Sequence, residues 1–235
     1  MDGKRLITDP LLRRYVGPLR RQSPPPDLTG LDVDAVLISH LHGDHFDLPS
    51  LKKLGRDTLM IVPKGAGPFL RVRRFQNVVE IEQGENYDIG GIRISATMAI
   101  HSGRGLPWTP LVEPLGFLID GQHEIYFAGD TDLFSEMSDI GQQLDLALLP
   151  VWGWGPNLGK GHMDPLRAAQ ALLHLKPDNA VPIHWGSYSP IGLGLFRPRF
   201  LTNPPLEFAK HAAKIAPDVI VHLIQPGEDL LLKND

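Results

Sequence analysis

The chain of 235 residues contains no cysteine. That absence excludes disulfide staples, thiolate zinc knots, iron–sulfur clusters and a cysteine nucleophile together. It also fits a cytoplasmic protein. No run of about 18 apolar residues occurs, so no transmembrane helix is expected. The opening "MDGKRLITDP" lacks the apolar stretch of a secretory leader. Positive charge is not in excess: 23 Lys and Arg stand against 27 Asp and Glu, for a formal net charge of −4. A basic footprint is therefore missing, and no nucleic-acid partner is expected. Internal repeats, low-complexity tracts and long linkers are absent as well. One domain over residues 1–235 follows.

What is present is a globular composition, with 42% hydrophobic and 21% charged residues and many turn-formers (22 Pro, 24 Gly). Short apolar runs bounded by turn residues read as strands: "DAVLISH", "TLMIVP", "IRISATMAIH", "LGFLID", "EIYFAGD", "LALLPVW", "NAVPIHW" and "VIVHLI". Three helices stand between and after them. "DLPSLKKLG" opens on Asp47 as N-cap, and "DPLRAAQALLHLKP" has Asp164 as cap, Pro165 in the first turn and Pro177 as the stop. "PPLEFAKHAAKIAP" is the third. "RRQSPPPDLTG" (20–30) reads as an extended loop. The mixture predicts an α/β layered sandwich. "DGKRLITDP" looks like the second arm of a hairpin turning at Asp2-Gly3, without its first arm. That leaves an exposed N-terminal sheet edge, an opening for an oligomer contact.

Metal-competent side chains stand where four of these strands stop. "DAVLIS" ends at His40, with His42, Asp44 and His45 following; "RISATMAI" ends at His101, "EIYFAG" at Asp130 and "NAVPI" at His184. Strand ends in layered α/β proteins line a shared edge, where loops carry function. Imidazole and carboxylate suit zinc, manganese or iron. This set exceeds the needs of one tetrahedral ion and suits two ions sharing a carboxylate, a pair that could hold a hydroxide and polarise a scissile bond. Buried without a partner, such a cluster would cost several kcal/mol. His123, His174, His211 and His222 lie elsewhere and read as structural or surface residues.

With these residues in place, the sequence resembles the metallo-β-lactamase-fold superfamily. "HLHGDH" matches its H-x-H-x-D-H signature, and His101, Asp130 in "FAGDT" and His184 follow in the family's order. "GHMDPLRAAQALLHLKPDNAVPIHWGSY" and "LITDPLLRRYVGPLRR" look like the branch that contains N-acylphosphatidylethanolamine-hydrolysing phospholipase D and the ascorbate-6-phosphate lactonases. The resemblance implies a four-layer αββα fold. It assigns His40, His42 and His101 to a first metal, Asp44, His45 and His184 to a second, and Asp130 to a bridge. It implies two divalent ions, Zn2+ foremost with Mn2+ or Fe2+ as alternatives, and a bridging hydroxide. His162, the His of the branch's H-x-D-P segment, would stand beside the metals and protonate the leaving group. Asp44 would ligate one ion and orient the hydroxide. The branch begins with a strand carrying a "GHA[ST]"-like turn that this sequence does not show, so the first strand is expected to be missing.

The expected activity is hydrolysis of a phosphodiester, of small-molecule or phospholipid-like type. A lactonase or other ester or amide hydrolase is the sibling alternative, and an iron-dependent oxidoreductase on the same fold is the rival of another class. The loops 150–162 and 184–200 should rim the site with aromatic and apolar side chains. Arg197 and Arg199 could meet a phosphate. Arg13, Arg14, Arg20 and Arg21 could draw the protein onto anionic lipid as a peripheral contact. Ser39, Thr131 and Asp132 are candidates, by proximity in sequence, for fixing the imidazole tautomers.

Overall fold

The structure is a computed structural model that describes residues 3–28, 30, 32–196, 198–225 and 227–232. In chain order its strands are β1 (Leu6–Thr8), β2 (Tyr15–Val16), β3 (Leu19–Arg21), β4 (Ala35–Leu37), β5 (Leu59–Pro63), β6 (Val78–Ile81), β7 (Asn86–Ile89), β8 (Ile92–Met98), β9 (Leu115–Asp120), β10 (Glu124–Phe127), β11 (Leu146–Pro150), β12 (Asn179–Ile183), β13 (Tyr188–Pro190) and β14 (Ile220–Val221). The helices are α1 (Leu48–Leu54), α2 (Gly67–Arg71), α3 (Pro165–Leu175) and α4 (Pro204–Ile215). Among the described residues no helix is long and apolar enough to cross a membrane.

A first sheet has the order β1-β4-β5-β6, all parallel, and a second has the order β14-β12-β11-β10-β9-β8-β7. Side chains alternate across each strand, and the alternation builds four layers. Ala35, Leu37 and Ile61 of the first sheet meet Ile94, Phe117 and Phe127 of the second in a shared core. Val36, Ile38, Met60 and Val62 point the other way, onto Leu51 of α1 and Leu70 of α2. Tyr126, Ala147 and Leu149 of the second sheet face outward onto α3 and α4, through Ala168, Leu172 and Phe208. Both faces of the central strands are covered, so their sequences are continuously apolar. This is the αββα sandwich that the motif implied.

The caps behave as expected: Asp47 accepts from Ser50 N and Asp164 from Arg167 N. The start of the chain forms a strand with an open outer edge among the described residues, as expected of an arm without its hairpin partner, and its inner neighbour is distant in sequence. β1 pairs parallel to β4, Leu6 opposite Ala35, and forms the edge of the first sheet; Asp2 lies outside the described residues. A parallel partner 29 residues downstream leaves no local signal in the sequence. A third sheet, β13-β3-β2, is also new. It takes Arg20 and Arg21 out of the expected loop and packs Val16, Leu19 and Tyr188 together.

Candidate metal centre

Topology brings the strand ends to one edge. β8 and β10 each run antiparallel to β9, and β11 and β12 run parallel to β10. β8, β10 and β12 therefore end on the same side, with His101, Asp130 and His184 beyond them. The first sheet joins there, because Leu115 N donates to Ser39 O at 2.9 Å just before His40. The approach is so close that residue 129 must be glycine. A Cβ on Gly129 would lie 2.8 Å from the Ser39 Cβ, and its φ is +60°.

Two groups of ligand atoms result, His40 with His42 and His101, and Asp44 with His45, Asp130 and His184, each within 4.8 Å. Asp130 borders both. Its Oδ2 lies 3.1 Å from His45 Nε2 and 3.9 Å from His101 Nε2, and its Oδ1 lies 3.4 Å from His184 Nε2. His162 joins this end, with Nε2 3.3 Å from Asp130 Oδ2 and its ring 4.6 Å from that of His101. The structure thus gathers all the expected metal ligands and His162 in one place.

Each ring has one nitrogen tied to an outer acceptor, which fixes the tautomer. His42 Nε2 donates to Arg104 O (2.9 Å), His101 Nδ1 to Gly161 O (2.7 Å), His184 Nδ1 to Trp152 O (2.9 Å) and His45 Nδ1 to Asp9 Oδ2 (2.7 Å). His40 Nδ1 donates to Ser39 Oγ (2.9 Å), whose hydroxyl donates on to Asp9. His162 Nδ1 meets Gly159 O and Lys160 O at 3.2 Å each. The inner nitrogens then face one another: His101 Nε2 and His42 Nδ1 stand 2.9 Å apart as bare lone pairs of neutral rings, and His45 Nε2 and His184 Nε2 stand 3.0 Å apart beside the Asp130 carboxylate. His40 Nε2 and both Asp130 oxygens are buried with no hydrogen-bond partner. Imidazole nitrogens and carboxylate oxygens converging on one point, with lone pairs set against one another, are a ligand set that fits cations.

Titration behaviour follows the same geometry. Burial holds His40 and His42 below the ordinary imidazole range and brings His101 down to about 4. His45 and His184 move the opposite way: burial opposes their charge most strongly, but the Asp130 and Asp44 carboxylates together outweigh it. Burial likewise works against the Asp44 and Asp130 anions, and His45 and His184 outweigh it, so both carboxyls sit low. The residues therefore favour a positive charge at their centre.

Asp9 was not singled out in the sequence. It sits just past β1, takes Ser39 N (2.8 Å) on Oδ1, and takes Ser39 Oγ (2.5 Å) and His45 Nδ1 on Oδ2. One carboxylate therefore steadies a ring in each group. Its backbone is left-handed (φ +41°), as is that of His184 (φ +60°), a conformation that non-glycine residues hold only where the surroundings enforce it. The available signal was a carboxylate directly after a strand in "LITDP". Of the residues suggested for tautomer control, Ser39 serves. Thr131 instead accepts from Ile100 N, and Asp132 pairs with Arg167, so both brace loops.

Two cavities meet at Asp44 and Trp154. One, about 460 Å3, enters between the two main sheets past Ile7, Phe127, Leu148 and Ile183. The other, about 410 Å3, lies toward Phe46, Leu48, Leu106 and Trp108. Both are of ligand size. The loops expected at the rim supply Trp154, Trp185 and Ser187. Arg199 lines neither cavity, and Arg197 lies outside the described residues. The arginines of the expected basic patch are partly used internally: Arg13 forms a two-point pair with Asp47, and Arg21 stacks over Tyr188 at 4.6 Å.

Comparison with known proteins agrees with this geometry. The model of the beta-lactamase superfamily domain matches residues 4–185. A UPF0173 metal-dependent hydrolase from Metallosphaera sedula is 31% identical over 99% of this chain and 93% of its own length. The mitochondrial N-acyl-phosphatidylethanolamine-hydrolyzing phospholipase D of Saccharomyces cerevisiae is 33% identical over 80% of this chain, which spans 45% of that protein. Igni18, a metallo hydrolase from Ignicoccus hospitalis, superimposes with a TM-score of 0.75 at 25% identity, over 97% of this chain and 90% of that one. The chain belongs to the beta-lactamase superfamily and, within it, to the UPF0173 metal-dependent hydrolases.

Proposed function

We propose that this chain, as one domain over residues 1–235, is a dinuclear metal-dependent hydrolase that cleaves a phosphodiester. The observation that carries the reading is the close approach of ligand nitrogens, His101 against His42 and His45 against His184, around the buried oxygens of Asp130. In this reading His40, His42 and His101 would hold one ion and Asp44, His45 and His184 the other, with Asp130 available to both. Nitrogen and oxygen donors without thiolate suit Zn2+, with Mn2+ or Fe2+ as alternatives. Such ions, when bound, bring water near ionisation at neutral pH and polarise the scissile group.

The side chains have separable tasks. Asp44 lines both cavities, so it orients the nucleophile at the point where substrate arrives. His162 passes a proton from Nε2 to the leaving group while the Gly159 and Lys160 carbonyls hold its Nδ1–H. A phosphodiester is favoured over a lactone or simple ester by the likeness to the yeast phospholipase D.

The test combines metal counting with two variants. Freshly purified protein should hold close to two zinc or manganese ions per chain by elemental mass spectrometry. His42→Ala should lose metal and turnover of bis-aryl phosphodiesters. His162→Ala should keep its metal and slow by about 100-fold or more. Full turnover in metal-verified His42→Ala would refute the site, and a single iron per chain with oxygen consumption would favour the oxidoreductase reading.

A further inference from the structure

We propose that the cavity between the sheets binds an uncharged alkyl or acyl chain of the substrate, whose polar head lies at Asp44 and Asp130; this deepens the hydrolase reading and rests on it. The cavity starts at the ligand cluster and runs inward along Ile7, Leu11, Leu28, Phe127, Leu148 and Ile183. Phe127 is part of the core shared by the two sheets, and Leu148 and Ile183 pack against it, so the far end lies in the apolar gap between them. The lysine and arginine content of the wall, among the described residues, is Arg21 alone. Three of its five N–H groups are held by Leu11 O, Arg13 O and Ser23 Oγ, and its plane lies over the Tyr188 ring, which ties it to the N-terminal side of the cavity away from Phe127, Leu148 and Ile183. A phosphate, carboxylate or sugar placed there would lose water and find no replacement donor at the far end. An alkyl chain loses nothing and gains the burial. The second cavity differs, because Arg13 and Asp47 lie on its wall and Trp108 stands exposed at 64%.

Each methylene seated in such a pocket strengthens binding about fourfold. The experiment titrates the full-length, zinc-loaded protein with butyrate, hexanoate, octanoate and decanoate by calorimetry. These probes carry a metal-seeking head and a tail of graded length. Wild type should tighten on the order of 200-fold from butyrate to octanoate. Leu28, in the loop before β4, holds no position in the ligand cluster. Leu28→Trp should flatten the series beyond hexanoate while leaving butyrate unchanged. Leu28→Ala should shift the longest accepted chain upward, and it decides the matter if the bulky variant fails to fold.

A flat series in wild type overturns the proposal. A slope unchanged by both Leu28 variants also overturns it, since the chain then lies elsewhere, as in the cavity beside Trp108. The hydrolase reading is judged separately with phosphodiesters, esters and lactones of the same chain lengths. Turnover with a flat series removes the pocket alone. A slope without turnover removes the hydrolase and leaves the pocket.

Discussion

Asp9→Asn tests whether an edge strand controls the metal centre. The substitution keeps size and tolerance of the left-handed backbone, which Ala would not. It replaces one acceptor oxygen by a donor NH2. If that group takes the Oδ1 position it faces Ser39 N–H; in the Oδ2 position it faces His45 Nδ1–H. Either way a donor meets a donor at 2.7–2.8 Å. The lost interaction is a charge-assisted hydrogen bond, about 1.5–3 kcal/mol. That matches the 10–100-fold cost in metal affinity or activity typical of losing a group behind a ligand. His45 suffers directly and His40 through Ser39, so both ions should weaken by about that factor. Ser39→Ala, which breaks the His40 branch alone, should weaken binding less. The assay is competition with a chromophoric chelator on protein of verified fold. Metal affinity within twofold of wild type in Asp9→Asn would refute the reasoning.

Three further outcomes follow from the structure. Chelation should destabilise the protein: ions present at a thousand times their dissociation constant contribute about 4 kcal/mol, so thermal melts with and without chelator should differ by roughly 10 °C; an unchanged midpoint would mean the cluster is indifferent to metal. Asp47 caps α1 and pairs with Arg13, so Asp47→Ala should cost about 1–3 kcal/mol at neutral pH in urea unfolding. Burial opposes the Asp47 anion, but Arg13 and Ser50 outweigh it and its folded pKa is depressed. Its stabilisation is thus present above the unfolded value near 4 and lost as pH falls through the lower folded value, so the gap between wild type and variant should close below about pH 4 and stay open above it. Gly129→Ala, with a Cβ 2.8 Å from the Ser39 Cβ at φ +60°, should destabilise by about 2 kcal/mol or more and loosen metal binding; wild-type stability would show that the sheets can part without cost.

By itself the sequence supplied the ligand types of the candidate centre. His40, His101, Asp130 and His184 stand directly after apolar runs, His42, Asp44 and His45 follow His40 closely, and strand ends in such folds share an edge, so these residues could be named as candidates in advance. The helices α1 and α3 were equally legible, since Asp47 and Asp164 cap them through bonds spanning three residues. Only the tertiary structure decided what surrounds those residues. Asp9 reaches Ser39 and His45 across 30 and 36 positions. β1 takes a parallel partner 29 positions downstream, and β3 closes a small sheet with β13 from the far end of the chain. The carbonyls that fix the tautomers come from Arg104, Trp152 and Gly161, residues whose side chains advertise nothing. Local patterns record propensity, caps and ligand types; backbone acceptors, strand partners and cavities depend on which distant segments meet, and that is settled by packing two sheets face to face.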